Sequence, residues 1–170
     1  MNVALLRQTT ENEPKPGLML DDEQRQNLAG MTLRALAGSY TLMVKTQAAH
    51  WNVSGPLFKS IHDLTENQYK DLFEAIDDLA ERIRALGIRA PMNFAALTEA
   101  TNIQPFDDNP VSTECMIETL AGDHETLADE LAAGAKAASE VGDPATEDIF
   151  VERLRIHQKQ AWMLRAMLAD

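Results

Sequence analysis

Two imidazoles and three carboxylates stand at spacings that a metal centre can use. In the stretch HWNVSGPLFKSIHDLTENQ, His50 precedes a Gly55-Pro56 breaker, and His62 and Glu66 follow it four residues apart. Asp77 and Glu81 repeat the same spacing further along the chain. At 100° per residue, His62, Glu66, Asp77 and Glu81 fall at about 0°, 40°, 60° and 100° around one helix, so they share a face. The apolar residues Leu72, Ile76, Leu79, Ile83 and Leu86 centre at roughly 280° on the same wheel, about 130° from that face. A solvated, charged helix face has this appearance too. The wheel alone leaves surface decoration and metal ligation both open.

Axial distance separates the pairs. Glu66 and Asp77 are about 16 Å apart along a helix axis, whereas ligands sit roughly 2 Å from a metal. The two pairs therefore cannot share one ion within one helix. An antiparallel copy of the same helix, related by a two-fold axis, brings His62 and Glu66 of one chain opposite Asp77 and Glu81 of the other, twice over. The reversal at Gly55-Pro56 folds His50 back towards the first pair. An ordinary di-iron bundle instead uses Glu-x-x-His motifs inside one subunit. Here the residues three places before His50, His62, His124 and His157 are Gln47, Lys59, Ala121 and Leu154, so that arrangement is not expected.

The elements that carry these residues read as helices. The 170 residues suffice for one domain with a core, and the composition is rich in Ala, Leu and Met. Residues 1–20 read as an extended tail broken by Pro14, Pro16 and Gly17, and 21–170 as a single domain. Asp21 or Asp22 caps a first helix to about His50, and a second runs from Gly55-Pro56 to near Gly87. Pro91, Pro105 and Pro110 break the next stretch, leaving room for a short helix at 94–99. A third long helix is expected from about Ser112 to Gly142, and Asp143-Pro144 caps and starts a fourth. Four long helices without strand signals predict an all-α four-helix bundle. The single Cys115 excludes an intrachain disulfide and is expected to pack rather than react. No signal peptide or spanning segment is apparent, so a cytoplasmic location and no membrane are expected. The net charge of −12 disfavours nucleic acid and suits cation handling.

The run His50-Trp51-Asn52-Val53, Gly55-Pro56, Phe58, His62, Glu66, Asp77, Glu81-Arg82 and Leu86-Gly87 resembles the Dps proteins, also called miniferritins or DNA-binding proteins from starved cells. The resemblance extends from about residue 20 to the stretch His157 to Ala166 around Trp162. It implies a ferritin-like bundle assembled as a hollow homo-dodecamer, with ferroxidase centres at two-fold interfaces. By motif position it implies that His50, His62 and Glu66 from one subunit, and Asp77 and Glu81 from its neighbour, ligate two irons per centre. It implies oxidation of Fe(II), with hydrogen peroxide as oxidant, and storage of ferric mineral against oxidative damage. Glu66 departs from the family, where aspartate often stands, and the extra methylene bears on how tightly the second iron is held. Carboxylate and imidazole donors both suit iron.

Other residues read more modestly. Trp51 is expected to pack beside the site, and His124, His157, Trp162 and the Met residues to fill the core or an interface. Glu140, Asp143, Glu147 and Asp148 surround the turn between the last two helices, with Glu140, Asp143 and Asp148 the pore candidates. Capping and helix-dipole compensation account for such a cluster, and the resemblance adds a negative funnel at a three-fold pore. The alternative function is a nucleoid-binding protein whose cage is a scaffold; a cage with degraded centres is disfavoured because all five ligand positions are filled. DNA binding is expected to be weak or absent, because Arg7 and Lys15 are balanced by Glu11 and Glu13 in the tail. The last residues, Leu168-Ala169-Asp170, add no basic cluster.

Overall fold

A computed structural model describes residues 17–107, 109 and 111–169, with only the backbone of Phe94 and Ala96. Five helices follow in chain order: α1 (Asp22–Asn52), α2 (Phe58–Ala85), α3 (Phe94–Glu99), α4 (Thr113–Glu140) and α5 (Pro144–Ala166). This is the expected four-helix bundle with a short helix between its second and third long members. Most of the tail expected over 1–20 lies outside the described residues. Of its last part, Leu20 is buried in the core and Leu18 packs against the same cluster.

The helix starts are set by short side chains. Asp21 and Gln24 form a reciprocal capping box at α1, Ser112 accepts from the Cys115 amide at α4, and Asp143 accepts from the Thr146 amide ahead of Pro144 at α5. α2 begins at Phe58, later than the Gly-Pro pair suggested, and its N-cap Leu57 supplies no side-chain bond. The delay has a backbone cause. Gly55 adopts φ 90°, a conformation open to glycine, and the reversal occupies the residues up to Leu57.

α1 packs along α2 and α4 along α5, with α1 also crossing α4. One core cluster joins Leu28, Leu33 and Leu36 to Leu79, Ile83, Leu131 and Phe150; the other joins Leu42, Ile61 and Leu72 to Ile117, Leu120, Leu127 and Leu164. The α2 stripe is buried as its period required, apart from Ile76, which is half-buried. At Gly134 the α4 backbone passes so near Phe150 that an added Cβ would stand 2.6 Å from the ring. Among the described residues no helix is long and apolar enough to cross a membrane.

Lys45, Asp143 and Arg153 are charged residues that lie inside. Lys45 of α1 is 5% exposed, because its ammonium is met by Asp123 Oδ2 at 2.6 Å and the Gln104 carbonyl at 2.7 Å, with the Phe106 ring 4.9 Å away. A buried ammonium needs such partners. Here they pin the crossover before α4 onto the bundle.

Candidate metal centre

The reversal between α1 and α2 is held by the two histidines themselves. His50 Nδ1 lies 2.9 Å from the His62 carbonyl oxygen, and His62 Nδ1 lies 3.0 Å from the His50 carbonyl oxygen. A carbonyl can only accept, so each Nδ1 carries the proton and donates. Each Nε2 is then left with its lone pair, the form in which imidazole ligates a metal. The rings stack at 3.7 Å with 20° between their planes. His50 is buried and His62 half-buried. Thr65, one turn after Ile61, donates its hydroxyl to the Ile61 carbonyl at 2.7 Å and lies 3.3 Å from His50 Nδ1. Tyr69 meets the His50 ring edge-on at 5.4 Å, and Phe58 lies 5.0 Å from His62.

Glu66 stands one helical turn beyond His62, half-buried, with its Oε1 held by Lys70 Nζ at 2.6 Å. The hydrogen bond and charge of Lys70 keep the Glu66 carboxyl below its ordinary range against a smaller opposing effect of burial. It is therefore an anion at neutral pH, with a cation already beside it. Asp77 and Glu81 are exposed further along the unbroken α2 helix. The structure brings His50 and His62 together, places Glu66 beside them on Lys70, and leaves Asp77 and Glu81 at a distance. Among the described residues, no three His, Cys, Asp or Glu side chains of one chain form a group able to hold a metal.

Large apolar side chains are exposed on the two helices that carry these residues. Trp51 is 70% exposed and Phe73 68% exposed in the single chain, so Trp51 does not pack within its own subunit. A groove of about 420 Å³ beside Phe73 is lined by Met43, Gln47, Tyr69, Lys70, Phe73 and Glu74. A larger cavity of about 870 Å³ lies elsewhere, between α1 and the crossover that includes Ile103 and Phe106. Cys115, expected to pack, is exposed near the start of α4.

The acidic turn divides into two kinds of carboxylate. Glu140 and Asp148 are exposed, and Glu140 has Lys136 3.9 Å away on the preceding turn. Asp143 is buried and committed: Arg82 donates to both of its oxygens at 2.8 and 2.7 Å, and Thr146 donates its hydroxyl and its amide to it. Lys45, Thr65 and Lys70 touch these features without having been singled out from the sequence, and Arg82 stands out there only as part of the Glu81-Arg82 motif, without its bond to Asp143. For Lys70 the signal was present, since Glu66 and Lys70 have the i, i+4 spacing of a helix ion pair.

Comparison with known proteins agrees with this architecture. A family model described as a ferritin-like domain matches residues 33–170. A low temperature-induced protein of Nostoc sp. is 35% identical over 91% of this chain and 87% of its own length. The DNA protection during starvation protein of Brevibacillus brevis is 32% identical over 85% of this chain and 96% of its own. The crystal structure of a Dps protein from Vibrio cholerae, titled a member of a broad superfamily of ferritin-like diiron-carboxylate proteins, superposes with a TM-score of 0.84 at 30% identity, covering 94% of this chain and 100% of that one. With the bundle, the paired histidines and the acidic face of α2 in place, the chain belongs to the Dps family of ferritin-like proteins.

Proposed function

We propose that the protein is an iron-storage and detoxification cage, a dodecamer whose ferroxidase centres form across two-fold interfaces. Family membership supports iron storage and protection as the general role. The observation that carries the finer reading is the reciprocal bonding of His50 and His62, which leaves two stacked imidazoles with both Nε2 lone pairs beside the carboxylate of Glu66. Imidazole and carboxylate together suit iron, and anionic oxygen favours the ferric product. Asp77 and Glu81 of a second subunit supply the remaining donors in this reading. The exposed Trp51 and Phe73, with the groove beside Phe73, are the surface that such a copy would cover.

Iron is the substrate here. Two Fe(II) ions each give up one electron, the O–O bond of hydrogen peroxide breaks, and two protons complete two water molecules. No hydroxyl radical is released, so removing iron and removing peroxide are one reaction. Lys70 must leave Glu66 when iron arrives, because an ammonium and a metal ion compete for the same oxygens.

Subunit mixing tests the shared centre. An Asp77→Ala, Glu81→Ala variant and a His62→Ala, Glu66→Ala variant are each inactive in this scheme. After dissociation and joint reassembly, about a quarter of the centres combine one intact half from each parent, because half of the dimers are mixed and each holds one good site of two. Recovery of roughly that fraction of peroxide-dependent Fe(II) oxidation is expected. No recovery, with mixed assembly verified by mass spectrometry, refutes sharing across the interface.

Glu140 and Asp148 are proposed to line the way in for iron; the buried Asp143 is proposed as structural. Changing Glu140→Gln and Asp148→Asn together is expected to slow iron uptake several-fold at low iron with the cage intact, by weakening the local negative potential. Unchanged uptake, followed by stopped-flow absorbance, leaves the two residues with only a helix-end role. DNA binding is proposed to be weak. The balanced charges behind that proposal lie within residues 1–16, outside the described residues.

A further inference from the structure

The centre of the α4–α5 contact holds a histidine pair unrelated to the metal centre. His124 Nδ1 and His157 Nδ1 are 2.8 Å apart, and both residues are almost wholly buried, at 1% and 0% exposure. At that distance one nitrogen must donate and the other accept, so a single proton lies between the rings. Neither Nε2 has a hydrogen-bond partner among the described residues. The charged groups around the pair come from all four long helices. Arg153 of α5 donates to Asp71 of α2 through its two terminal guanidinium nitrogens, at 3.2 and 2.7 Å. On the α1 side, Lys45 is paired with Asp123, the residue before His124. Each nearby carboxylate is thus already matched to a cation.

We infer that the His124–His157 pair is an acid-sensitive latch that clasps α4 to α5 while both imidazoles are neutral and releases them when the rings take up protons. A first added proton places an unpaired charge in a buried site facing Arg153. A second puts a proton on both facing Nδ1 atoms and removes the hydrogen bond. Burial, with the charge of Arg153 acting against the smaller effect of Asp71, pushes His124 down to about 3; burial and the neighbouring charges hold His157 well below its ordinary value. In the unfolded chain both titrate near the ordinary imidazole value of about 6.5. Each folded value is depressed, so the contribution is complete above about 6.5 and is lost progressively as pH falls below it. The latch therefore sets an acid limit for the bundle, and for the cage built from it, independently of any iron chemistry.

The experiment is chemical denaturation of the full-length protein in its native assembly, at fixed protein concentration, at pH 7 and pH 5.5. Two imidazoles that are neutral when folded and titrate near 6.5 when unfolded raise the unfolding equilibrium roughly 70-fold between those values. The variant His124→Leu, His157→Leu replaces both partners by apolar groups and should lose that 70-fold dependence. His124→Asn keeps a polar partner for His157 and should lose about 8-fold of it. A wild-type protein equally stable at both pH values overturns the inference without any variant. Variants that retain the full wild-type pH dependence overturn it equally.

Discussion

Replacing His50 and His62 together by alanine is expected to cut peroxide-driven Fe(II) oxidation by roughly 100-fold, the upper range of what even indirect partners of metal ligands cost. The two imidazoles are the only neutral donors proposed for the centre, and their reciprocal bonds preset both Nε2 lone pairs. The wild-type rate is expected to be faster with peroxide than with oxygen. The same change removes two hydrogen bonds that close the α1–α2 reversal, a loss of about 1–3 kcal/mol. Helix content and assembly size must therefore be measured alongside the rate. A variant that stays assembled and oxidises iron at the wild-type rate eliminates the ferroxidase assignment. One that falls apart shows only that the clasp is structural. In that case the mixing experiment, which leaves His50 in place, decides.

Much of this architecture could be read from sequence because it is local. Asp143-Pro144 and Ser112 announce helix starts through interactions within three residues, and the short helix at Phe94–Glu99 is bounded by Pro91 and Pro105. The period of Leu72, Leu79, Ile83 and Leu86 identifies the buried side of α2, and with it the face that carries Glu66, Asp77 and Glu81. What escaped depends on partners far along the chain. Lys45 is charged and gives no reason to be buried until Asp123 and the Gln104 carbonyl are seen beside it. The apolar stripes implied that His124 and His157 are buried, yet not that they share a proton across two helices. The His50–His62 clasp needs the turn closed to within 3.0 Å, which a Gly-Pro pair permits without specifying. Cys115 is exposed because Ser112 caps its amide in the first turn, a register that periodicity alone does not assign.

The turn between α4 and α5 joins this comparison to a second large effect. Its four acidic residues look alike in sequence, but Asp143 is locked to Arg82, the residue that follows Glu81 on α2. Burial pushes the Asp143 carboxyl up, while hydrogen bonds from Thr146 and Arg82 outweigh it and hold it below its ordinary value. Arg82→Met leaves that carboxylate buried without its cation. The expected loss is about 3 kcal/mol, the lower end of the cost of breaking a buried pair, because a tenth of the Arg82 side chain still meets solvent. Asp143→Asn should cost less, since asparagine keeps the N-cap bond and loses mainly the charge. The pH dependence carries a sign. A depressed carboxyl value stabilises the fold above about 3.8 and the benefit fades as pH falls through the folded value, so the wild-type advantage over Arg82→Met should shrink in acid. Denaturation midpoints at neutral pH and near pH 3 measure both quantities. If Arg82→Met is as stable as wild type at neutral pH, the bond between the α2 end and the acidic turn is ornamental. If it is destabilised, while Glu140→Gln with Asp148→Asn is not, Asp143 is the carboxylate that holds the helices, and Glu140 and Asp148 are ones on which the fold does not depend.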